Sequence, residues 1–323
     1  DSSMAKKEEK VYTGNEIIGI AQMHKSNAVP IRNKKSAEDG TSSDLIASFD
    51  SDGFTVNENF NGSTTNESTN KNGNTYVAWC WKANGGTTSS NTDGTITSTV
   101  QVNRQGGFSV LTWTGTGAQG TIGHGLDDTP DFIISKRLDS TNNWSVYHKD
   151  LGLSHTSYPN WLYLNLSAAE QNSGTPANHP YYQAPSSSLI YQNTGTSENT
   201  NVNSGQYVTY CFAEKTGFSK FGSYTGNGSS NGPIINTGFE PAFLIIKRTD
   251  TDPTSGGNTT WLLYDNKRNP SNPRNTRLWA DNSAAEISLS PQYNIDFLSN
   301  GFQLKDGSSG FAMNTSGGNY IYM

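Results

Sequence analysis

Short apolar runs rich in β-branched and aromatic residues recur along the chain, each closed by Gly, Pro or polar residues. Examples are Phe108–Trp113, Asp131–Lys136 and Ala242–Lys247. Runs of this length and composition predict β-strands. Asp52-Gly53 and Asn300-Gly301 each lie between apolar residues, the short pattern that most strongly predicts a two-residue hairpin turn.

Helical patterns are nearly absent. Gly, Ser, Thr and Asn, which favour turns and strands over helices, are abundant throughout. Only Ser167–Gln171 and Ser283–Ile287 are compatible with one helical turn each. We therefore expect an all-β protein made of tandem antiparallel β-sandwich modules of jelly-roll-like topology, with an extended N-terminal arm.

The chain contains an internal repeat. Four motifs occur twice, in the same order and at nearly constant spacing: Thr112–Gly117 with Ser223–Gly228, Gly125–Arg137 with Gly238–Arg248, Trp144–Tyr147 with Trp261–Tyr264, and Ser167–Glu170 with Ser283–Glu286. A hairpin motif also recurs, at Phe49–Phe54 and Phe297–Phe302, and the final strand occurs three times, at Gly73–Trp79, Gly205–Tyr210 and Gly318–Tyr322. Such ordered recurrence indicates duplication of one module.

The repeat divides the chain into four parts. Residues 106–218 and 219–323 are two near-complete β-sandwich repeats. Residues 41–105 are interpreted as a partial repeat, the second half of a module at 44–83, followed by a Gly/Ser/Thr-rich linker at 84–105. Residues 1–40 do not match the repeat and are interpreted as an N-terminal arm or anchor segment.

The partial repeat has no visible first half, and the last copy stops at Met323, one residue short of the position equivalent to Cys80. Three explanations stay open. The chain is not the whole gene product, or two parts of the gene product, 1–40 and 41–323, are joined across a gap, or the half-copy completes its sheet with another chain.

The net charge of the chain limits the kinds of molecule that it can bind. Charged residues make up 15% of the chain and the net charge is −6, a balance that argues against nucleic acid, whose phosphates need clustered cations. No apolar stretch is long enough for a membrane span. Basic residues concentrate near the N-terminus among acidic ones, which is typical of a solvated arm. The alternative is that this arm docks the protein onto a larger particle through Lys6, Lys7, Lys10, Arg32, Lys34 and Lys35.

The sequence predicts no catalytic residues, metal site or cofactor. Gly115–Gly120 matches a dinucleotide fingerprint but no helix pattern follows it, so we expect a turn. Asp50–Gly53 is interpreted as a hairpin turn and not as a calcium loop. The four histidines of the first full repeat (His124, His148, His155 and His179) lack zinc-site spacing, and the two cysteines (Cys80 and Cys211) are expected to be buried thiols. The carboxylates (Asp127, Asp128, Asp131 and Glu170) are assigned to turns and caps, since a glycosidase pair depends on a separation that only a structure gives.

Aromatic side chains in a loop-rich part of the first full repeat are candidate carbohydrate contacts, because flat rings beside Asn and Gln suit the faces of sugars. The alternative is that these rings cover the edge of the sandwich. The candidates are Tyr158, Trp161, Tyr163, Tyr181 and Tyr182.

Several strings resemble an uncharacterised tandem-repeat β domain of marine tailed-phage (cyanophage- or pelagiphage-like) virion structural proteins of the tail-fibre type. They are Tyr76–Lys82, Gly123–Leu126, Tyr210–Glu214, Phe221–Gly228, Ile246–Arg248, Asp265–Arg268 and Phe297–Phe302. The resemblance covers about residues 44–323 and leaves residues 1–40 outside, where Tyr12–Gly14 and Met23–Pro30 weakly resemble a short phage protein of unknown role.

The resemblance implies a non-enzymatic, homo-oligomeric protein on the phage particle surface. Its partners would be other virion proteins and host surface glycan, contacted multivalently by a tail-fibre-like appendage. The alternatives are a capsid-decorating or cement protein without receptor binding and, less favoured, a glycan-degrading enzyme.

Overall fold

A computed structural model describes residues 46–50, 53–56, 75–83, 88–154, 157–194, 200–250, 259–282, 284–287, 293–305 and 313–323. These residues form antiparallel β-sheets and no α-helix; one 3-10 turn lies at Pro176–Asn178. The all-β prediction is confirmed. The predicted N-terminal arm and its basic residues lie outside the described residues.

Residues 106–218, called module 1, form a small sheet and most of a large sheet, to which β3 and β4 from the preceding residues are added. The large sheet has the order β11-β8-β7-β14-β5-β4-β3 and the small sheet β12-β13-β6. The strands are β3 (Ser89–Asn91), β4 (Ser98–Asn103), β5 (Phe108–Thr114), β6 (Gly120–Gly123), β7 (Phe132–Arg137), β8 (Ser145–His148), β11 (Leu162–Tyr163), β12 (Tyr181–Gln183), β13 (Leu189–Gln192) and β14 (Gln206–Phe212). A separate pair joins β9 (Leu153–Ser154) and β10 (Tyr158–Pro159).

Residues 219–323, called module 2, have the same strand order. Their large sheet is β19-β18-β17-β22-β15 and their small sheet β20-β21-β16, which matches β11-β8-β7-β14-β5 and β12-β13-β6 strand for strand. The sequence repeat is therefore also a repeat of topology. The strands are β15 (Gly222–Thr225), β16 (Ile234–Asn236), β17 (Phe243–Arg248), β18 (Trp261–Asp265), β19 (Leu278–Trp279), β20 (Ile295–Leu298), β21 (Gly301–Leu304) and β22 (Asn319–Tyr322).

The predicted linker at 84–105 differs from expectation, because β3 and β4 add two strands to the edge of the module 1 sheet beside β5. Ile96, Ser98 and Val100 are buried and the residues between them are exposed. This alternation is the period of a half-buried strand, and the Gly/Ser/Thr-rich composition concealed it.

The two predicted helical turns do not form. Gln171 makes an isolated antiparallel bridge with Trp161, and Ile287 makes the corresponding bridge with Arg277. In module 1 the amide of Gln171 donates to the carbonyl of Trp161 at 2.8 Å. These backbone groups pair with a distant segment, so they are not available for a helical turn.

The half-copy (residues 44–83) contains one described hairpin, of β1 (Ile46–Asp50) and β2 (Gly53–Val56). Phe49 pairs with Phe54 and Asp50 with Gly53. Phe297 and Phe302 pair in the same way in β20 and β21. The recurring hairpin motif therefore folds with one register in both places. The hairpins predicted from Asp-Gly and Asn-Gly form, but in each the glycine begins the second strand and does not belong to the two-residue loop.

Each module has an apolar core between its large and small sheets. In module 1 this core includes Ile122, Ile133 and Ile190. The core of module 2 includes Ile235 and Phe302. Within each sandwich, alternate residues of the large-sheet strands face the small sheet, as expected for sheets packed face to face.

A third apolar cluster, called the shared core, joins the two modules. It contains Phe132 and Phe212 from module 1 together with Ile245, Trp261 and Ile321 from module 2. These residues lie on the faces of the large sheets that point away from the small sheets. Both faces of each large sheet are therefore buried, which explains why strands such as β8 and β18 are buried along their whole length.

Residues 75–83 pack their Val77, Trp79 and Trp81 side chains against the shared core. The sequence predicted a strand here equivalent to β14 and β22 and buried on both faces. Residues 75–81 instead form no strand, and Cys80 is exposed. The prediction of a buried Cys80 thiol is thus wrong, whereas Cys211 is fully buried. Cys211 lies on β14, which has a hydrogen-bonded strand on each side and contributes to the core of module 1, whereas Cys80 lies in a segment without strand structure.

Prediction: Trp261→Phe will lower the free energy of unfolding by about 2–4 kcal/mol, since it removes packing volume and a buried hydrogen bond. The Trp261 indole lies in the shared core and donates to the Tyr163 carbonyl of module 1 at 2.8 Å. Chemical denaturation of the purified chain measures this change. Trp144→Phe, at the equivalent half-buried position of module 1, is the control and should have less than half the effect; equal effects would contradict the role of Trp261 in joining the modules.

Candidate functional site

The five aromatic candidates divide into two groups. Trp161, Tyr163 and Tyr181 are 3%, 6% and 2% exposed. Their rings lie in the interior, where the Trp161 and Tyr163 rings meet edge to face at 6.3 Å and the Tyr181 hydroxyl lies 3.3 Å from Ser135 Oγ. These three residues cannot touch a sugar, so that expectation is corrected: they cover the sandwich from within. Tyr158 and Tyr182 are half-buried and still present part of their rings.

A third half-buried ring, Tyr191, joins them and was missed in the sequence. Tyr191 on β13 and Tyr182 on β12 meet edge to face, with ring centroids 5.6 Å apart and planes at 83°. Both follow a buried residue of their own strand, Ile190 and Tyr181, so strand alternation turns them outward. A bulge between Tyr181 and Gln183 helps to direct the Tyr182 ring.

We call Tyr158, Tyr182 and Tyr191 the tyrosine face. Tyr182 and Tyr191 lie on the outer side of the small sheet of module 1, and Tyr158 lies on β10, beside this sheet. Burial is the main cause that raises the pKa of Tyr182, and the neighbouring phenols of Tyr191 and Tyr158 raise it further. Its hydroxyl is therefore protonated at neutral pH and able to donate a hydrogen bond.

Amide and hydroxyl groups border the tyrosine face. The exposed Gln119 donates from Nε2 to Asn193 Oδ1 at 3.0 Å and lies 3.5 Å from the Tyr158 hydroxyl. Thr121 is the direct cross-strand partner of Tyr191. Phenol rings beside amides and hydroxyls form an amphipathic surface that can stack on an apolar ligand face and hydrogen-bond its rim.

Module 2 does not repeat this surface. The registers place Ile190 opposite Ile122 and, at the equivalent place, Phe302 opposite Ile235. The counterpart of Tyr191 is therefore Gln303. By the same registers, Asp296 on β20 corresponds to Gln183, and Tyr182 is the extra residue of a bulge that β20 lacks. Because one fold tolerates both sets of side chains, the tyrosines of module 1 are not required by the fold.

The histidines have structural roles. His124, His148 and His179 are buried, and the ring Nδ1 of His148 accepts a hydrogen bond from the Asp150 amide at 3.1 Å. His124 makes the equivalent bond with Leu126. No group of three or more His, Cys, Asp and Glu side chains suited to a metal occurs in the part of the chain that the structure describes. His155 lies outside that part.

The acidic candidates contact cations or amides. Asp127 pairs with Arg104, Asp128 with Lys215 and Asp131 with Lys149. Glu170 instead accepts hydrogen bonds from the Gly152 amide at 2.8 Å and Asn160 Nδ2 at 2.6 Å. These contacts fix loops and strand ends, which agrees with the turn and capping roles expected.

The glycine motif at Gly115–Gly120 is a turn. It links β5 to β6, and no helix follows it. Its amides are used within the fold, since Thr116 donates to the Asn201 side chain at 2.9 Å. Gly117 has a φ of 72°, a conformation that favours glycine. Its counterpart Gly228 has a φ of 68°, so the turn geometry is repeated in module 2.

Two buried lysines were not anticipated. Lys136 and Lys247 occupy equivalent strand ends and are 4% and 0% exposed. The Lys136 ammonium donates to the Arg137 carbonyl at 2.7 Å and the Ser140 carbonyl at 3.3 Å. Lys247 donates to the carbonyls of Arg248 and Thr259. Burial lowers the pKa of Lys136 to about 8 and also lowers that of Lys247, so both ammonium groups depend on these carbonyls.

A family model described as "Domain of unknown function (DUF7483)" matches residues 9–323. The chain belongs to this family. The match extends from residue 9 through both modules, so it includes most of the N-terminal segment that was expected to lie outside. No curated protein and no solved structure matches the chain. Over the described ranges, no helix has the length and apolarity needed to cross a membrane.

Prediction: stability will fall as the pH drops from about 6.5 to about 4. Burial lowers the pKa of His148 to about 4. Between these pH values His148 takes up a proton in the unfolded chain but not in the folded chain. This difference lowers the free energy of unfolding by about 3 kcal/mol across the window. Denaturant titrations at a series of pH values measure how the free energy of unfolding changes with pH.

His148→Gln removes the titrating ring and keeps a polar side chain at the same position. Its stability should vary less with pH over this window than that of the wild-type chain. An unchanged slope in the variant would show that His148 does not titrate as proposed.

Proposed function

We propose that this chain is a structural protein of a phage particle surface, a tail-fibre-like appendage that contacts host surface glycan through the tyrosine face. The single observation that carries the glycan contact is the pair of half-exposed rings of Tyr182 and Tyr191, set edge to face beside amide side chains. The virion location rests on the sequence resemblance alone.

The chemistry of the tyrosine face suits a carbohydrate. A pyranose ring has an apolar face of C–H groups and a rim of hydroxyls, and it needs flat apolar area with hydrogen-bonding groups around it. Tyr182 and Tyr191 supply the ring area. Gln119 is exposed and Thr121 is half-buried, so their polar groups can reach the rim of such a ligand.

The contact would be weak at one site and strong in an assembly. A shallow surface with two or three half-buried rings buries little area, which is consistent with low affinity for a single sugar. Homo-oligomeric display of many copies on one particle raises the avidity without a deep pocket. Other virion proteins would hold the chain in place, and the basic N-terminal residues remain candidates for that attachment.

The second candidate function is a capsid-decorating protein without receptor binding. One observation favours it: the two modules and residues 75–83 are joined through a single shared core. That arrangement is suited to a rigid building block. An imaging experiment separates the two functions, since a decorating protein would be spread over the capsid lattice and an adhesin confined to the tail or vertices.

Prediction: Tyr182→Ala and Tyr191→Ala will each weaken binding to host surface polysaccharide by about 10- to 100-fold. This is the loss expected from removing one ring that the bound sugar would cover. Unfolding free energy should change by less than about 1 kcal/mol, because both rings are half-exposed. Glycan arrays followed by titration calorimetry measure the binding.

Gln303→Ala, at the position equivalent to Tyr191, and Asp296→Ala, at the cross-strand partner of Gln303, provide the matched controls in module 2. They should leave glycan binding unchanged. The glycan proposal fails if the wild-type chain binds no host polysaccharide, or if the control variants weaken binding as much as the tyrosine variants do.

A further inference from the structure

One flank of the module 1 sandwich, where β5 of the large sheet faces β6 of the small sheet, is closed by residues 95–103, which we call the cover segment. Its strand β4 pairs with β5 from Ser98 to Asn103. The amide of Ile96 donates to the carbonyl of Thr121 on β6 at 2.9 Å. A single segment therefore bonds to both sheets of module 1.

The cover segment also fills the space between the two sheet edges. Ile96 and Val100 are 5% and 3% exposed and belong to the core of module 1. A β-carbon added to Gly125 would lie 3.4 Å from Val100 and 3.7 Å from Val102. The apolar side chains of the segment thus occupy this flank completely.

Module 2 has the same flank without a cover segment in the part of the chain that the structure describes. Gly238 is the counterpart of Gly125 and has a similar φ, 84° against 74°. No atom lies within 4 Å of a β-carbon added to Gly238. Ile234, the counterpart of Thr121, is 64% exposed. The space that the cover segment fills in module 1 is therefore open in module 2, and we call it the open flank.

Apolar side chains beside the open flank are less buried than their counterparts in module 1. Trp113 and Leu126 are each 4% exposed. Tyr224 and Phe239, which take their places in module 2, are only half-buried. A strand laid on the open flank would therefore remove apolar surface from water, which favours its binding.

The strand β15 directs one row of backbone groups to the open flank. The amide of Gly226, just after β15, donates to the Gly318 carbonyl on the β22 side at 2.9 Å. Because successive residues of a strand point to opposite edges, the amides and carbonyls of Ser223 and Thr225 face the other way. β15 is the last strand on its side of the sheet among the described strands, and residues 200–250 are described without a gap.

The strand β16 offers two carbonyls on the same flank. In module 1 the β6 carbonyls that accept from the cover segment belong to Thr121 and Gly123. Their counterparts on β16 are Ile234 and Asn236, and both residues are exposed. The amide of Thr237 donates toward β21, so strand alternation points these two carbonyls to the open flank.

The open flank carries no charge that would keep a partner strand away. Between Lys220 and Glu240 the sequence contains no Asp, Glu, Lys, Arg or His. Exposed edge strands are commonly protected from pairing by charged side chains or proline. Pro233 does not protect this edge, because its carbonyl accepts from the Leu304 amide on the β21 side at 3.3 Å.

Module 2 cannot take a cover from the place in the chain that supplies module 1. The cover segment comes directly before β5, the first strand of its module. The residues before β15 are β14 and the turn that follows it, which already belong to module 1. This difference favours a partner strand from another polypeptide.

We propose that the open flank binds an extended, uncharged segment of a separate polypeptide with the side-chain pattern of the cover segment. The partner strand adds antiparallel to β15, with a residue equivalent to Thr99 opposite Ser223. A residue equivalent to Val100 fills the space over Gly238. A residue equivalent to Ile96 donates from its amide to the Ile234 carbonyl.

The test uses the full chain and a dye-labelled synthetic peptide of residues 94–103, which is uncharged apart from its ends. Fluorescence anisotropy should show saturable binding. Hydrogen exchange should slow at residues 222–236 when the peptide is bound and stay unchanged at residues 108–123. The second observation separates binding at module 2 from exchange with the cover segment of module 1.

Two N-methylated peptides provide matched controls on the ligand. In module 1 Thr99 lies opposite Thr112, and Val100 lies opposite Ser89 on the other side of β4. N-methylation at Thr99 removes the donor that faces β15, so binding should weaken at least about tenfold. N-methylation at Val100 alters the outer edge of the peptide and should have little effect, because successive amides point to opposite sides.

Two lysine variants provide matched controls on the protein. Ile234→Lys places a charge and a long side chain at the open flank and should weaken peptide binding at least about tenfold. Leu153→Lys changes an equally exposed apolar residue of module 1, 60% exposed, and should leave binding unchanged. Both residues are exposed, so neither variant should alter folding, which thermal unfolding checks.

Four results would overturn the proposal. They are no saturable binding of the unmodified peptide, equal losses for the two N-methylated peptides, equal losses for the two lysine variants, and slowed exchange confined to residues 108–123. A dimer in which residues 222–236 are protected before peptide is added, and which Ile234→Lys dissociates, would assign the open flank to a second copy and reject a separate polypeptide.

Discussion

Burial of both faces of the large sheets is the constraint on which the rest of this structure depends. A sandwich normally buries one face of each sheet and exposes the other, but here the outer faces carry residues such as Phe132, Ile245 and Trp261, which are 2%, 6% and 1% exposed. These side chains stabilise the fold only when the modules meet. Neither module is therefore an independent domain joined to the other only by a linker. The family match across residues 9–323 agrees with one integrated unit.

The shared core also explains how a half-copy can be retained. Residues 75–83 supply three large side chains to that core even though they form no strand. Aromatic contacts at 5.4 to 5.9 Å with Phe212 and Phe243 hold Trp79 and Trp81 in place. Hydrophobic packing is not directional, so these side chains can join the shared core without the strand geometry of β14 and β22.

The proposed glycan contact uses positions that the shared architecture leaves unconstrained. Lys136 and Lys247, Gly117 and Gly228, and the two hairpins are repeated because the backbone needs them. Tyr182 and Tyr191 differ from these residues, since Gln303 replaces Tyr191 in module 2 and the bulge that carries Tyr182 is absent from β20, while the order of the small sheet stays the same. Duplication thus supplies an internal comparison that separates residues serving the fold from residues available for a ligand.

The sequence by itself determined the all-β class, the repeat, the hairpins at Asp52-Gly53 and Asn300-Gly301 and the turn at Gly115–Gly120, because each depends on local periodicity or on the conformational freedom of glycine. It also drew attention to the aromatic region of module 1. It could not assign Trp161 and Tyr181 to the interior and Tyr182 and Tyr191 to the surface, because in loop-rich segments the direction of a ring depends on bulges and strand pairing. The burial of Ile96 and Val100, the exposure of Cys80 and the meeting of three copies around one core were likewise decided only by the tertiary structure. They result from contacts between residues far apart in the chain, which no local pattern records.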